Sequence, residues 1–152
     1  MAVSDPDIEI REIASGPAFE TWQGSGTMHL HWTRQGVVRI AVSGHGHAEF
    51  AAPVVRRWEG AIRSGGRMTL LVDFGEMPAY DSKLRVELQA WGVKHRAQVE
   101  SIHMLSRSKL VSMGAAVTNL ALGGMITMYD VQGAFDAVAK SLGLPPIPKP
   151  VK

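Results

Sequence analysis

The run Met68 to Phe74 constrains the fold more than any other stretch of this chain. Its nearly continuous apolar side chains, bounded by glycine and proline, are typical of a β-strand covered on both faces. After the turn that follows, Leu84, Leu88, Trp91 and His95 recur at the spacing of one helical face. We therefore predict a central strand that leads into an amphipathic helix.

Strand and helix patterns continue on both sides of this unit. Alternating or apolar runs predict further strands at 8–13, 28–32, 37–42, 99–105 and 125–129, and helical spacing predicts helices at 48–62, 109–122 and 131–142. The turn Gln35-Gly36 pairs two of the strands as a hairpin. In the helix 109–122 we expect five residues to face inward: Leu110, Met113, Val117, Leu120 and Ala121.

This order of elements defines a fold class. Alternating helices and strands favour parallel pairing with helical cover, whereas the opening hairpin adds antiparallel strands. The predicted fold is α/β, with a mixed, mostly parallel sheet of about five strands. The length of 152 residues suits one core. We predict a single domain at 1–144 and a proline-rich C-terminal tail at 145–152.

Composition narrows the range of functions. The net charge of +2 is too small to indicate a nucleic-acid partner, and the chain has no cysteine for disulfides or thiolate chemistry. The first residues, Met1 to Asp7, carry acid and proline where a signal peptide has basic and apolar segments. No membrane-spanning run is visible in the sequence, so we expect a cytoplasmic protein without a membrane partner.

Asp81 and Ser82 stand where the helix after the central strand must begin. Short oxygen-bearing side chains at this position accept hydrogen bonds from the free amides of the first turn. A phosphate added there would also lie at the positive end of the helix dipole. The pair is therefore a candidate helix cap, and Ser82 is a candidate switch.

Three segments together resemble the STAS family, the domain shared by anti-sigma-factor antagonists and sulfate-transporter tails. They are Val42-Ser43-Gly44, Leu71-Val72-Asp73-Phe74 and Tyr80-Asp81-Ser82, and the resemblance covers about 28–142. It implies an Asp-Ser pair, here Asp81 and Ser82, whose serine is phosphorylated by a partner kinase that is also the anti-sigma factor. It further implies a partner-binding surface at Tyr80, Asp81, Ser82, Lys83 and Arg85. Leu84 departs from the family, which commonly has glycine there, and a large side chain is expected to restrict partner approach.

Other motifs permit different chemistry. The pairs His29/His31 and His45/His47 have a spacing that could hold zinc or nickel, although no carboxylate is placed beside them by the sequence. Gly44 to His47 could form a ligand loop, but Glu49 argues against a dinucleotide phosphate there. Trp58 and Trp91 are predicted core residues that could also line a pocket. No nucleophile has a recognisable base beside it.

We therefore predict a non-enzymatic regulatory domain that binds a protein partner, an anti-sigma factor or kinase, with phosphorylation of Ser82 as its control. The alternative is a small-molecule or lipid-binding module with a pocket beneath Gly44, His45, Gly46 and His47, and without the switch. Neither function requires a cofactor or a metal. The sequence leaves the partner, the ligand and the oligomeric state open.

Overall fold

The computed structural model describes residues 9–147, in which one mixed sheet of seven strands is flanked by four α-helices. The strands are β1 (Arg11–Gly16), β2 (Phe19–Gln23), β3 (Thr27–Trp32), β4 (Val37–Ser43), β5 (Met68–Glu76), β6 (Val99–Ser106) and β7 (Ile126–Tyr129). The helices are α1 (Ala51–Gly65), α2 (Ser82–Lys94), α3 (Lys109–Ala121) and α4 (Gln132–Ser141). A 3₁₀ turn, Ala48–Phe50, precedes α1.

The strands lie in the sheet in their sequence order, from β1 at one edge to β7 at the other. Neighbours from β1 to β4 are antiparallel and neighbours from β4 to β7 are parallel. Short turns suffice for the first kind of pairing, whereas each parallel pair requires a helical crossover. The α/β prediction is confirmed, but the expectation of about five mostly parallel strands is wrong. The sheet is half antiparallel.

The strand that sequence analysis missed is β2, between the turn at Gly16 and the turn at Gly24. Its sequence, Phe-Glu-Thr-Trp-Gln, does not alternate strictly between apolar and polar residues, and it becomes a strand because it pairs with both β1 and β3. The first predicted strand, 8–13, is observed at Arg11–Gly16, and residue 8 lies outside the described part of the chain. Tertiary pairing therefore sets both the number and the bounds of the early strands.

Two apolar cores lie on opposite faces of the sheet. Side chains alternate along β5, so Leu70 and Val72 belong to the core covered by α1, α2 and α3, whereas Leu71 belongs to the core covered by α4. Trp58 of α1 and Trp91 of α2 are buried in the larger core with ring centroids 5.0 Å apart, which confirms both as core residues. The continuous apolar run of the central strand reflects this double cover.

Helix α3 is turned the opposite way from the prediction. The five residues expected to face inward are exposed: Leu110, Met113, Val117, Leu120 and Ala121. The buried side instead carries Val111, Gly114 and Ala115. Because α3 is apolar on both sides, helical periodicity could not identify the inner face, and small residues occupy it where the helix lies close to its neighbours.

The beginning of the proline-rich tail is attached to the domain. Leu144 is buried with Phe135 and Leu71 in the smaller core. Arg39, itself buried, donates a hydrogen bond from Nη2 to the carbonyl oxygen of Pro145 at 2.7 Å. The rest of the predicted tail from residue 148 onward lies outside the described residues. Among the helices between residues 9 and 147, none has both the length and the apolar character needed to cross a membrane.

Candidate functional site

The predicted ligand loop, 44–47, and the segment that leads into α2, 79–82, lie side by side at the carboxyl ends of β4 and β5. Gly46 N donates to Ala79 O at 3.0 Å, and Asp81 N donates to Gly46 O at 2.8 Å. These bonds form an isolated parallel bridge between Gly46 and Tyr80. Neighbouring parallel strands end at the same edge of a sheet, which is why residues so distant in sequence meet here.

Asp81 connects the two segments through its carboxylate. Its Oδ1 accepts from His45 Nε2 at 2.7 Å, and its Oδ2 accepts from the backbone N–H of Ala48 at 2.9 Å. Burial acts to raise the pKa of Asp81, but the hydrogen bond from Ala48 and the hydrogen bond and charge of His45 outweigh it, so the pKa lies below its ordinary value. The carboxylate is therefore held in its charged form.

The predicted cap of α2 by Asp81 or Ser82 is wrong. Asp81 occupies the N-cap position of α2, but its side chain makes no capping hydrogen bond to that helix. The carboxylate is turned toward Ala48 at the start of the 3₁₀ turn before α1. The first-turn amides of α2 consequently lack a side-chain acceptor from the cap residue.

Ser82 is the first residue of α2 and is exposed. Its neighbour Lys83 is also exposed and lies 3.6 Å from Glu87, one helical turn away. Leu84, in contrast, is only 3% exposed and packs into the core. The expected obstruction of partner approach by Leu84 is therefore wrong, because the side chain points away from the surface that carries Ser82.

His47 fixes the loop from the other side. The ring is buried, and its Nε2 accepts from the backbone N–H groups of Ser25 and Gly26 at 3.0 and 3.1 Å. Burial lowers the pKa of His47, and the nearby His45 lowers it further. A neutral ring with its proton on Nδ1 satisfies these contacts, so His47 holds the turn between β2 and β3 against the loop after β4.

His45, His47 and Asp81 bring potential metal-ligand atoms within 4.8 Å of one another, so a carboxylate does lie beside one His pair. A metal on His47 Nε2 would displace two backbone N–H donors. A metal on Nδ1 would require a proton on Nε2, which those same donors oppose. The arrangement is explained by hydrogen bonding, and we propose no metal there.

The other pair, His29 and His31, lies away from this cluster on β3. Their rings are 6.2 Å apart, and His29 Nδ1 is 3.0 Å from the hydroxyl of Thr21. Burial, the charge of Arg39 and the neighbouring His29 lower the pKa of His31 to about 4. Between residues 9 and 147, no third histidine or carboxylate joins this pair as a possible metal ligand.

A cavity of about 100 Å³ lies between the sheet and the helices α2 and α3. Its walls are almost entirely apolar and include Trp58, Leu70, Val72, Phe74, Met77, Leu84, Ile102, Met104, Val111 and Ala115. None of the four residues Gly44 to His47 lines it, so the pocket predicted beneath that turn is displaced toward α2 and α3. Gly46 only touches its wall, since a Cβ there would lie 2.6 Å from Met77 Sδ.

A polar rim closes one side of the cavity between the two helices. Gln89 Oε1 accepts from Arg85 Nη1 and from Thr118 Oγ1, each at 3.0 Å. Within the described residues, Arg85 has no carboxylate within ion-pairing distance. Arg85 was predicted from the sequence as a partner contact, but its place in this rim was not. The small residues Gly92, Gly114 and Ala115 at the helix contact were the available signal.

The fold is similar to that of two solved structures. One is an uncharacterised protein of the DUF3478 family with a SpoIIAA-like fold from Shewanella loihica PV-4, with 12% identity over 82% of this chain and 98% of that chain, at a TM-score of 0.55. The other is the anti-sigma factor antagonist SpoIIAA in its unphosphorylated form, with 18% identity over 74% and 96%, at a TM-score of 0.51.

These likenesses confirm the fold of a STAS-like domain. More narrowly, the chain has the SpoIIAA-like form of that fold. No protein-family model matches the sequence. No curated protein matches it either.

Proposed function

We propose that this chain is a non-enzymatic regulatory domain that binds a protein partner through the amino end of α2, with phosphorylation of Ser82 as its control. The observation that carries the proposal is the exposure of Ser82 as the first residue of that helix. The partner surface comprises Tyr80, Asp81, Ser82, Lys83 and Arg85. The partner would be an anti-sigma factor or a kinase, which places the chain in the cytoplasm.

The local electrostatics suit a phosphate on Ser82. The first turn of a helix has free N–H groups and a positive end of its dipole, and no side chain of the cap residue occupies those groups in α2. Asp81 would oppose a second negative charge, but its carboxylate is bonded to His45 and Ala48 on the side of the 3₁₀ turn. A phosphate would therefore add close to two negative charges where the backbone can receive them.

Tyr80 connects the proposed partner surface to helix α3. It is half-buried, and it reaches α3, where a Cβ built at Gly114 would collide with its hydroxyl. Tyr80 thus joins the start of α2 to the packing of α3 and the cavity wall. A partner that contacts the start of α2 would also sense the position of α3.

The likeness to SpoIIAA supports the proposal at the level of fold. That protein is described as an anti-sigma factor antagonist, and its structure is of the unphosphorylated form. The identity of 18% leaves the role of this chain to be tested on its own residues.

The experiment is partner capture from the native cell with the variants Ser82→Ala and Ser82→Asp. Ser64→Ala and Ser64→Asp are matched controls, since Ser64 is an exposed helical serine on α1. We expect Ser82→Asp to change recovery of a protein partner by tenfold or more, on the scale of about 1.4 kcal/mol, and the Ser64 variants to leave it unchanged. Equal recovery with all four variants would contradict the phosphorylation control, and no partner with any of them would contradict the binding role.

The cavity favours a second candidate function, the binding of an apolar small molecule or lipid chain. Apolar cavities of roughly 150 Å³ stay dry and accept apolar guests, and this one has comparable walls. Arg85 at its rim offers a cation to an anionic head group. We expect octanoate to change the fluorescence of Trp58, which lines the cavity, more strongly than 1-octanol does.

Replacement of two neighbouring alanines by phenylalanine tests this candidate. Ala115→Phe should fill the cavity and abolish the response, whereas Ala116→Phe, on the exposed side of α3, should preserve it. Arg85→Gln should weaken octanoate and leave 1-octanol unchanged. A response that survives Ala115→Phe would place the ligand elsewhere.

A further inference from the structure

An apolar face of α2 and α3 remains open to solvent. It consists of Val86 and Val93 on α2 and of Leu110, Met113, Val117 and Leu120 on α3, with exposures from 49% to 84%. Exposed large apolar side chains occur singly on most proteins, but a contiguous group marks an interaction surface. We call this group the α2–α3 face.

Both helices contribute to the same side of the molecule. Gln89 of α2 bonds Thr118 of α3, and Val86 and Val93 lie within about 60° of Gln89 around the helix axis. On α3, Leu110 and Val117 lie within about 60° of Gly114, which packs against Arg85. The apolar side chains therefore border the helix contact from the solvent side and form one face.

The spacing on α3 indicates what this face fits. Leu110, Met113, Val117 and Leu120 follow one another at intervals of three, four and three residues. That is the seam of a heptad repeat, whose side chains interlock with those of another α-helix. The two exposed valines of α2, seven residues apart, have the same period.

The charge around the face indicates the chemistry of that helix. Residues 82–96 and 107–121 carry six basic side chains and one acidic side chain, Glu87. Lys83 lies 3.6 Å from Glu87, and Arg107 lies 3.6 Å from Glu76, so two of the cations have a carboxylate partner. The other four have no ion pair within the described residues: Arg85, Lys94, Arg96 and Lys109. Arg96 packs against Gly123 at one end of α3, and Lys109 lies at the other. This excess of cations opposes self-association through the face and favours an acidic partner.

We propose that the α2–α3 face binds an acidic amphipathic α-helix of a protein partner, with large apolar residues at heptad spacing and Asp or Glu beside them. The inference rests on the proposed function, since it names the chemistry of the same partner. It adds a binding surface distinct from Ser82. The bound helix would lie along α3 and also cover the polar rim at Arg85.

The probes are two designed peptides of about three heptads with leucine along the seam. One carries glutamate beside the seam and the other carries lysine. We expect fluorescence anisotropy to show binding of the acidic peptide alone, and NMR amide shifts to map it to α2 and α3. Leu120→Glu and Val117→Glu should weaken binding about tenfold or more. Ile13→Glu, at an exposed apolar residue of β1, has the same charge change and should not.

Several outcomes would overturn the inference. They are equal binding of both peptides, amide shifts outside α2 and α3, or loss with Ile13→Glu equal to that with Leu120→Glu. Sedimentation with phosphatidylglycerol vesicles without peptide binding would assign the face to a lipid surface, and dimerisation abolished by Val117→Glu would assign it to a second copy. If Ser82 variants alter partner capture while the peptide fails, the proposed function survives without this inference. If the peptide binds and Ser82 variants have no effect on partner capture, the α2–α3 face remains a binding surface and the control by Ser82 is contradicted.

Discussion

His45 Nε2 donates a hydrogen bond to Asp81 Oδ1 across 2.7 Å, which joins the loop after β4 to the residue that precedes α2. This contact has two consequences. It turns the Asp81 carboxylate toward Ala48 and away from α2, and it leaves the first turn of α2 without a cap from that side chain. The exposed Ser82 therefore follows a residue that is fixed by a different part of the chain.

Replacing Asp81 by alanine should destabilise the domain although the residue is partly exposed. The change removes the acceptor of Ala48 N and of His45, a loss comparable to that of a helix cap, about 0.5–2 kcal/mol. Urea unfolding measures it. Asp130→Ala is the control, because Asp130 is exposed, and a similar loss in both variants would contradict the structural role of Asp81.

The stabilisation by Asp81 should depend on pH. Its folded-state pKa lies below the ordinary value of 3.8, so the charged carboxylate stabilises the fold above that value and the contribution disappears as pH falls through the folded-state pKa. The difference in unfolding free energy between the wild type and Asp81→Asn should accordingly shrink in acid. A difference that grows as the pH falls below 3.8 would reverse the assignment.

Acidification should also destabilise the fold through His31, in a pH range above that of Asp81. Burial first, then Arg39 and His29, lower its pKa from 6.5 to about 4, so the unfolded chain binds more protons between these values. Stability should fall by on the order of 2 kcal/mol from pH 7 to pH 5. Unfolding of His31→Gln at both pH values should show a smaller decrease, and an unchanged decrease would place the effect on other groups.

Two glycines in helices should respond oppositely to alanine. Gly60 in α1 has open space where a Cβ would be placed, so alanine should stabilise the helix by about 0.5–1 kcal/mol. At Gly114 in α3 a Cβ would collide with the Tyr80 hydroxyl, so alanine should destabilise by about 1–3 kcal/mol. Thermal unfolding of both variants tests the close packing of α3. Stabilisation by Gly114→Ala would contradict it.

A pair of leucines tests which parts of the carboxyl-terminal half are core. Leu144 is 5% exposed and packs under α4, whereas Leu120 is 84% exposed on α3. Alanine should lower the unfolding free energy by about 2–5 kcal/mol at Leu144 and change it by less than about 0.5 kcal/mol at Leu120. If the two losses were equal, the orientation of α3 would be wrong.

The sequence predicted the parts of the fold that depend on local pattern. The central strand, the four helices and the position at which α2 begins follow from periodicity and from the residues at turns. It could not predict β2, which exists through its two neighbours, or the orientation of α3, whose two sides are both apolar. Of the cavity it anticipated only Trp58 as a possible lining residue. The contacts of the polar rim could not be predicted, since Arg85, Gln89 and Thr118 meet only after α2 and α3 pack.

The most direct measurement is phosphorylation-site mapping by mass spectrometry on protein isolated from its native cell under several growth conditions. We expect phosphate on Ser82 in at least one condition, and none on Ser64 and Ser141, which are also exposed. Phosphate on those serines with Ser82 unmodified, or no phosphate in any condition, would contradict the regulatory role assigned to Ser82.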